Sequence, residues 1–404
     1  MDAVPPVSDP ALFRPLTLRG VTIPNRVGVS PMCMYSSTDG AVTDFHLVHL
    51  GRFALGGAGL VVMEATAVTP AGRISPRDAG LWSDDHLPGL RRIAGVLTEQ
   101  GSVPGIQLGH AGRRAAVTEP WHGGQPLVWS ETEPGREPWA LQAPSAAPAG
   151  PEWPTPRALS ESELTASLDL WAAAARRASE AGFRFLELHG AHGYLLHSFL
   201  SPLSNHRSDA YGGTPEARMR YPLEVVRAVR ASLPAETALS YRVSTVDGID
   251  GGLTLDDTVV FAERLAEAGV DIIDTSSGGI TTDRSVDTRV RRGFAFHADF
   301  SRAVRERVGI PTATVGLIVD PQQADALIDH GDADLVLLGR TALDDPNWPN
   351  RARHVLGAVD PTADPRFESY LTPWRAGIER LLARGESPLS RFEIDAPEEV
   401  TGLP

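Results

Sequence analysis

Short, nearly continuous apolar runs recur along the chain, and between them apolar positions return every three or four residues. The runs are Val27–Ser30, Leu60–Ala65, Gly105–Leu108, Phe183–His189, Ala238–Val243, Val270–Thr275, Pro311–Val315 and Asp334–Gly339. Segments such as Leu60-Val61-Val62-Met63 and Asp271-Ile272-Ile273-Asp274 are short and β-branched, as strands buried on both faces tend to be. The intervening segments carry helix signals. Ser160 with Glu163 forms a capping box ahead of Leu164, Leu168, Trp171 and Ala175, which share one helix face. Thr254 and Asp257 repeat the signal before Val259–Ala268, and Gly269 follows as a C′ glycine. Pro215-Glu216 opens a helix that runs to about Ser232. Alternation of eight strands with helices predicts an α/β fold, a (β/α)8 TIM barrel. The competing doubly wound sheet would want a Gly-x-Gly-x-x-Gly turn after its first strand, and that turn is absent.

Two segments exceed a minimal barrel. Residues 119–157 are Pro-rich and hold Trp121, Trp129, Trp139 and Trp153, half of the eight tryptophans. Following the third strand, they belong at the catalytic end, either as a surface loop or as a lid or substrate wall. The expected division is thus a barrel over 1–350, with 119–157 as its insertion, and a helical extension over 351–404. In that tail Trp374–Arg384 reads as a helix with Ile378, Leu381 and Leu382 as its stripe, and the acidic, Pro-containing residues after it suit either disorder or docking on a neighbouring subunit.

Composition narrows the chemistry. All 37 basic residues of this 404-residue chain are arginine. Without lysine there is no Schiff base and no P-loop. A net charge of −14 argues against nucleic acid as a partner. A single cysteine, Cys33, excludes an intrachain disulfide, a four-cysteine cluster and a zinc knuckle, and fits a reducing, cytoplasmic setting. No apolar run is long enough to span a membrane, and Met1–Pro10 lacks the regions of a signal peptide.

The densest chemical cluster is Glu187-Leu188-His189-Gly190-Ala191-His192-Gly193-Tyr194, where the fourth strand ends. Two imidazoles there can donate to one substrate oxygen, and a tyrosine hydroxyl can supply a proton. A metal site is the alternative, but His-x-x-His needs a third ligand. A buried, backbone-satisfied histidine pair is the structural one. At strands seven and eight, Gly316, Gly339 and Arg340 suit an anion, because barrels commonly hold phosphate there. Gln107 in the third strand and Arg242 in the fifth could read a ring with carbonyls and N–H groups, such as a flavin pyrimidine. Arg242 could instead pair with an interior carboxylate, Glu64 or Glu187.

Together these residues resemble the Old Yellow Enzyme family of flavin-dependent ene reductases, and more narrowly its bacterial "thermophilic-like" branch. The resemblance rests on Asn25-Arg26-Val27 with Ser30-Pro31-Met32-Cys33-Met34-Tyr35, Glu64–Val68 with Gly72-Arg73-Ile74, Gln107–Arg113, Glu187–Gly213, Arg242-Val243-Ser244, and the Gly316 and Gly339-Arg340 turns. It implies FMN across the barrel mouth. Gln107 and Arg242 would meet the pyrimidine edge, and Gly316, Gly339 and Arg340 the phosphate. Ser30, Pro31, Met32 and Ala65 would lie against the isoalloxazine, and Cys33 would tune its redox behaviour. His189 and His192 would hold a carbonyl oxygen beside the flavin, Tyr35 would help bind substrate, and Tyr194 would donate the proton. NADPH or NADH would reduce FMN, and an α,β-unsaturated carbonyl compound would then accept hydride and proton in a ping-pong cycle. Homo-oligomers are expected from the same resemblance. The sequence departs from the family pattern at Arg114, where lysine is usual. The Trp-rich insertion and Thr43–His49 are similar to barrel domains acting on aryl-CoA substrates. A CoA thioester or bulky natural product is therefore an alternative substrate, and a non-catalytic flavin-binding scaffold a third reading.

Overall fold

The computed structural model describes residues 9–128, 137–358 and 365–387. The chain divides into two units, Met1–Ala358 and Val359–Pro404. In the second, Pro365–Ala383 is a helix that carries the Ile378, Leu381 and Leu382 stripe, with Arg375 3.4 Å from Glu368.

The first unit is a closed parallel barrel of eight strands, a (β/α)8 TIM barrel. Its strands are β1 (Val27–Val29), β2 (Leu60–Ala67), β3 (Val103–Gly109), β4 (Phe185–Gly190), β5 (Ala238–Ser244), β6 (Ile272–Ser276), β7 (Thr312–Thr314) and β8 (Leu335–Leu338). Each falls on one of the apolar runs. The capping boxes of Ser160–Glu163 and Thr254–Asp257 form as the spacing predicts, opening helices Glu161–Glu180 and Leu255–Glu267. The sequence reading had not assigned a hairpin, Leu16–Leu18 with Val21–Ile23. Its inward residues pack with Leu60, Val103, Phe185, Ala238, Ile272 and Leu335, the first residues of their strands, and so plug the bottom of the barrel. A short pair, Gln142–Ala143 with Arg157–Ala158, ties the insertion to itself.

Strand alternation explains where the polar groups go. Leu186, Leu188, Leu239, Tyr241 and Val243 join the core between strands and helices, whereas Phe185 and Ala238 belong to the lower interior cluster. The alternate positions higher up are Glu187, His189, Ser240, Arg242 and Ser244. Register then sets Gln107, Glu187 and Ser240 side by side, His189 beside Arg242 and Asp274, and Ser244 beside Ser276. The barrel is therefore apolar at its base and polar toward the strand C-termini, where this fold carries its chemistry. In β2 the pairing slips between Met63 and Ala65, so Glu64 is an extra residue in a bulge.

Candidate active site

The turn after β4 brings the two histidines together. His189 Nε2 and His192 Nδ1 lie 3.4 Å apart, with the rings edge to face. The Tyr194 ring stands 4.8 Å from that of His189. The backbone is unusual, because His192 has φ 59° and Gly193 φ 75°. A non-glycine residue in the left-handed region persists only when its surroundings hold it there. Four groups do so. The His192 N–H donates to Ser244 Oγ at 2.9 Å, and the Gly193 N–H to His197 Nδ1 at 2.8 Å. Arg114 Nη1 donates to the carbonyls of His192 and Gly279 at 2.6 and 2.9 Å. Ser276 Oγ lies 2.7 Å from His192 Nε2. The chain approaches so closely that a Cβ on Gly193 would collide with the Gly279 carbonyl oxygen. Arg114, the departure from the family pattern, thus clamps two loops at once.

Burial, reinforced by the charge of Arg242, holds both His189 and His192 well below the ordinary imidazole range. Both are neutral at pH 7 and offer N–H groups rather than positive charge. Burial likewise raises the Tyr194 hydroxyl, opposed by Arg114, whose guanidinium stands 5.8 Å from the ring. It stays protonated, as a donor must.

Beside and below His189 lies a buried polar layer. Gln107 Nε2 donates to Glu187 Oε1 at 2.8 Å, and Ser240 Oγ to Glu187 Oε2 at 2.9 Å. Arg242 donates to Ser30 Oγ at 3.2 Å, and its Nε is 3.1 Å from Asp274 Oδ2. The interior ion pair of Arg242 is thus with Asp274, not with Glu64 or Glu187. Burial raises the Asp274 and Glu187 carboxyls, and Arg242 pulls both back. Neither Asp274 oxygen has a hydrogen-bond donor among the described residues.

Glu64 instead serves the loop after β1. Its Oε2 accepts the Met34 N–H at 3.2 Å and lies 3.7 Å from His46 Nε2, which anchors the residue between Cys33 and Tyr35. Ser30 is buried, and Pro31, Met32, Cys33 and Tyr35 are half-buried beside the mouth. The desolvated setting of Cys33, with Asp78 and Glu64 near, pushes its thiol up. Cys33, Tyr35, Ala65, Tyr194, Trp139 and Trp153 all pack on one cluster built around Ile74, Ala111 and Leu141. Trp121 meets the Tyr35 ring edge-on at 5.8 Å. The insertion therefore leans on the candidate site; its fourth tryptophan, Trp129, lies outside the described residues. Gly316 (φ 123°) follows β7 and packs on Phe296. Gly339 follows β8 and caps the short helix Arg340–Asp344, and Arg340 is exposed.

These residues suit FMN. Gln107 and Arg242 would present an amide and a guanidinium to a neutral ring with carbonyl and N–H edges. Gly316, Gly339 and Arg340 would offer main chain and charge to a phosphate at the ends of β7 and β8. Thr314 Oγ1, two residues before Gly316, is buried with no hydrogen-bond partner among the described residues.

The family model for NADH:flavin oxidoreductase / NADH oxidase matches residues 11–358. The chain belongs to that family, the Old Yellow Enzymes. It is an NAD(P)H-dependent oxidoreductase whose cofactor is FMN. A relative in Geobacillus thermodenitrificans, an NADPH dehydrogenase, is 42% identical over 348 residues, covering 86% of this chain and 94% of that protein. Morphinone reductase superposes with a TM-score of 0.69 at 28% identity, over 89% of this chain and 93% of that one. A 2-naphthoyl-CoA reductase superposes with a TM-score of 0.74 at 22% identity, a likeness of fold. This Old Yellow Enzyme chain spans about half, 52%, of that longer protein.

Five side chains at the site were not singled out from sequence: Ser240, Asp274, Ser276, His197 and Asp247. Period-two alternation in Asp274-Thr275-Ser276 could have flagged Asp274 and Ser276 as inward, like Arg242 and Ser244 in the neighbouring strand.

Proposed function

We propose that this flavoenzyme is an ene reductase that reduces the activated C=C bond of α,β-unsaturated carbonyl compounds at the expense of NADPH or NADH, in the cytoplasm. The observation that carries the reading is the facing pair His189 Nε2 and His192 Nδ1, 3.4 Å apart with Tyr194 alongside. An oxygen set to one side of the pair, within reach of both nitrogens, receives two hydrogen bonds from neutral rings. They stabilise the negative charge that grows on it as the β-carbon accepts hydride. FMN, when bound, supplies the two-electron hydride transfer between coenzyme and substrate.

The protein's part is orientation and the proton. The Ala191 N–H donates to His189 Nδ1 at 3.3 Å, which leaves the His189 proton on Nε2, facing the substrate. The Tyr194 hydroxyl delivers its proton to the α-carbon, where it bonds the C=C electron pair displaced as hydride bonds the β-carbon. Cys33, Tyr35 and Ala65 supply one apolar wall, and the tryptophans of the insertion another. In this reading Gln107, Arg242 and Ser30 hold the ring, Pro31 and Met32 pack against it, and Gly316, Gly339 and Arg340 take its phosphate.

The contact of Trp121 with Tyr35 favours a second reading, in which the substrate is bulkier than a simple enone, such as a CoA thioester or polycyclic natural product. The two are separated by kcat/KM for 2-cyclohexenone against polycyclic enones, in the wild type and Trp121→Ala. The first reading expects Trp121→Ala to spare the small enone and the bulky one alike. The central test is Tyr194→Phe, which keeps reduction by NADPH while the enone step falls by about 10²–10⁴. Equal turnover by wild type and variant refutes the proton assignment.

A further inference from the structure

Beneath the His192–Gly193 turn lies a second, fully buried histidine–carboxylate pair. His197 and Asp247 are both 0% exposed. His197 Nδ1 accepts the Gly193 N–H at 2.8 Å, so its proton resides on Nε2. Nε2 lies 3.0 Å from Asp247 Oδ1, a close but bent contact. The other carboxylate oxygen, Oδ2, accepts the Ser201 hydroxyl at 2.7 Å and the Leu253 N–H at 2.8 Å. Every group that faces this carboxylate is therefore a donor. Gly193 itself stands between His192 and Tyr194, the two residues assigned to the substrate oxygen and to the proton.

We propose that Asp247 and His197 form a positioning relay: the carboxylate fixes the His197 tautomer, and the imidazole acceptor so presented holds the Gly193 N–H and with it the left-handed turn that aims His192 and Tyr194. The inference rests on the clamp reading above and adds two residues that touch neither substrate nor cofactor. The chemistry makes asparagine at 247 informative. An amide has one oxygen and one NH2. If the oxygen serves Ser201 and Leu253, the NH2 faces His197 Nε2 and drives the ring proton to Nδ1, against the Gly193 N–H. The reverse arrangement would set the NH2 against the Leu253 N–H and give up the two hydrogen bonds of Oδ2 to keep one bent contact, so the first is favoured. Either arrangement sets donor against donor in a dry site, where such mismatches are costly. At position 197, asparagine places an oxygen where Nδ1 stood and keeps an acceptor for Gly193, whereas leucine keeps volume and removes it.

The test uses the FMN-loaded enzyme and three variants, Asp247→Asn, His197→Leu and His197→Asn. Phenol affinity is read from the long-wavelength charge-transfer band. Reoxidation of reduced enzyme is timed with 2-cyclohexenone and with ferricyanide, an acceptor that needs neither clamp nor proton donor. Asp247→Asn and His197→Leu should each weaken phenol binding and slow the enone step by about tenfold to a hundredfold, the cost of a buried unpaired donor. Ferricyanide reoxidation should stay unchanged, and His197→Asn should recover most of the loss. Histidine ¹⁵N shifts in the unliganded protein should show His197 protonated on Nε2 in the wild type and not in Asp247→Asn, a readout that holds even if His197→Leu fails to fold. Equal phenol affinity in wild type and Asp247→Asn, or His197 protonated on Nδ1 in the wild type, overturns the relay. Failure of the wild type to bind phenol would instead remove the clamp on which the inference rests.

Discussion

Replacing Ser276 by alanine removes one hydroxyl and little else, and it tests how the clamp is armed. His189 carries its proton on Nε2, because its Nδ1 accepts the Ala191 N–H. For His192 to donate from Nδ1 to the same oxygen, its Nε2 must be an acceptor. The only hydroxyl placed against Nε2 by the described residues is that of Ser276, at 2.7 Å. Ser276 is buried, so water does not readily take over the role. In Ser276→Ala the ligand-bound tautomer, with its proton on Nδ1 and a bare Nε2 lone pair, loses the hydroxyl that donates to it. The cost is that of one neutral hydrogen bond, about 0.5–1.5 kcal/mol. That corresponds to a Kd raised roughly two- to tenfold. Phenol titration of the FMN-loaded variant measures it, and kcat/KM for 2-cyclohexenone should fall by a similar factor. Burial keeps both histidines neutral, so the loss should be level between pH 6 and pH 8. Unchanged or tighter phenol binding, with normal FMN content, would refute the tautomer argument.

Arg242→Ala should yield mainly apoprotein and a less stable one, since Asp274 is left buried without its counter-charge, at a cost of about 3–5 kcal/mol for a broken buried pair; bound flavin per chain and thermal unfolding measure it, and full FMN occupancy would sink the pyrimidine assignment. The Asp78 carboxyl, raised by burial to about 7, lies beside Gly72 and His110 in the pocket wall. Its folded-state value exceeds the unfolded one, so its contribution to stability is complete below pH 4 and is lost as pH rises through 7. Tm in Asp78→Asn should accordingly fall less than the wild type's between pH 5 and pH 8, and parallel profiles would contradict this. Cys33, with its thiol pushed up by burial, Asp78 and Glu64, should resist iodoacetamide at pH 8 in the native enzyme and react after unfolding, as mass spectrometry would record.

The barrel was legible because its signal is local. Eight short apolar runs and two capping boxes each state their structure within a few residues, and all fall where expected. The Leu16–Ile23 hairpin was missed because Arg19-Gly20 is a weak turn signal and each strand is three residues long. The candidate site was legible where a motif is contiguous, as in His189–Tyr194, and partly where a polar residue interrupts a buried strand, as at Gln107 and Arg242. The partner of Arg242 was not, because Glu64, Glu187 and Asp274 are equal candidates until strand register is known. Register sets Asp274 directly beside Arg242, and the β2 bulge turns Glu64 to Met34 and His46. The His197–Asp247 pair lies 50 residues apart in sequence, and neither member carries a local signal.

The most direct test of the central claim is an anaerobic visible spectrum of the purified protein through one catalytic cycle. Oxidised-flavin absorbance should bleach on addition of NADPH and return on addition of 2-cyclohexenone or a bulkier activated alkene. No flavin signal after reconstitution with FMN, or bleaching that no activated alkene reverses, would contradict the assignment of this chain as an ene reductase.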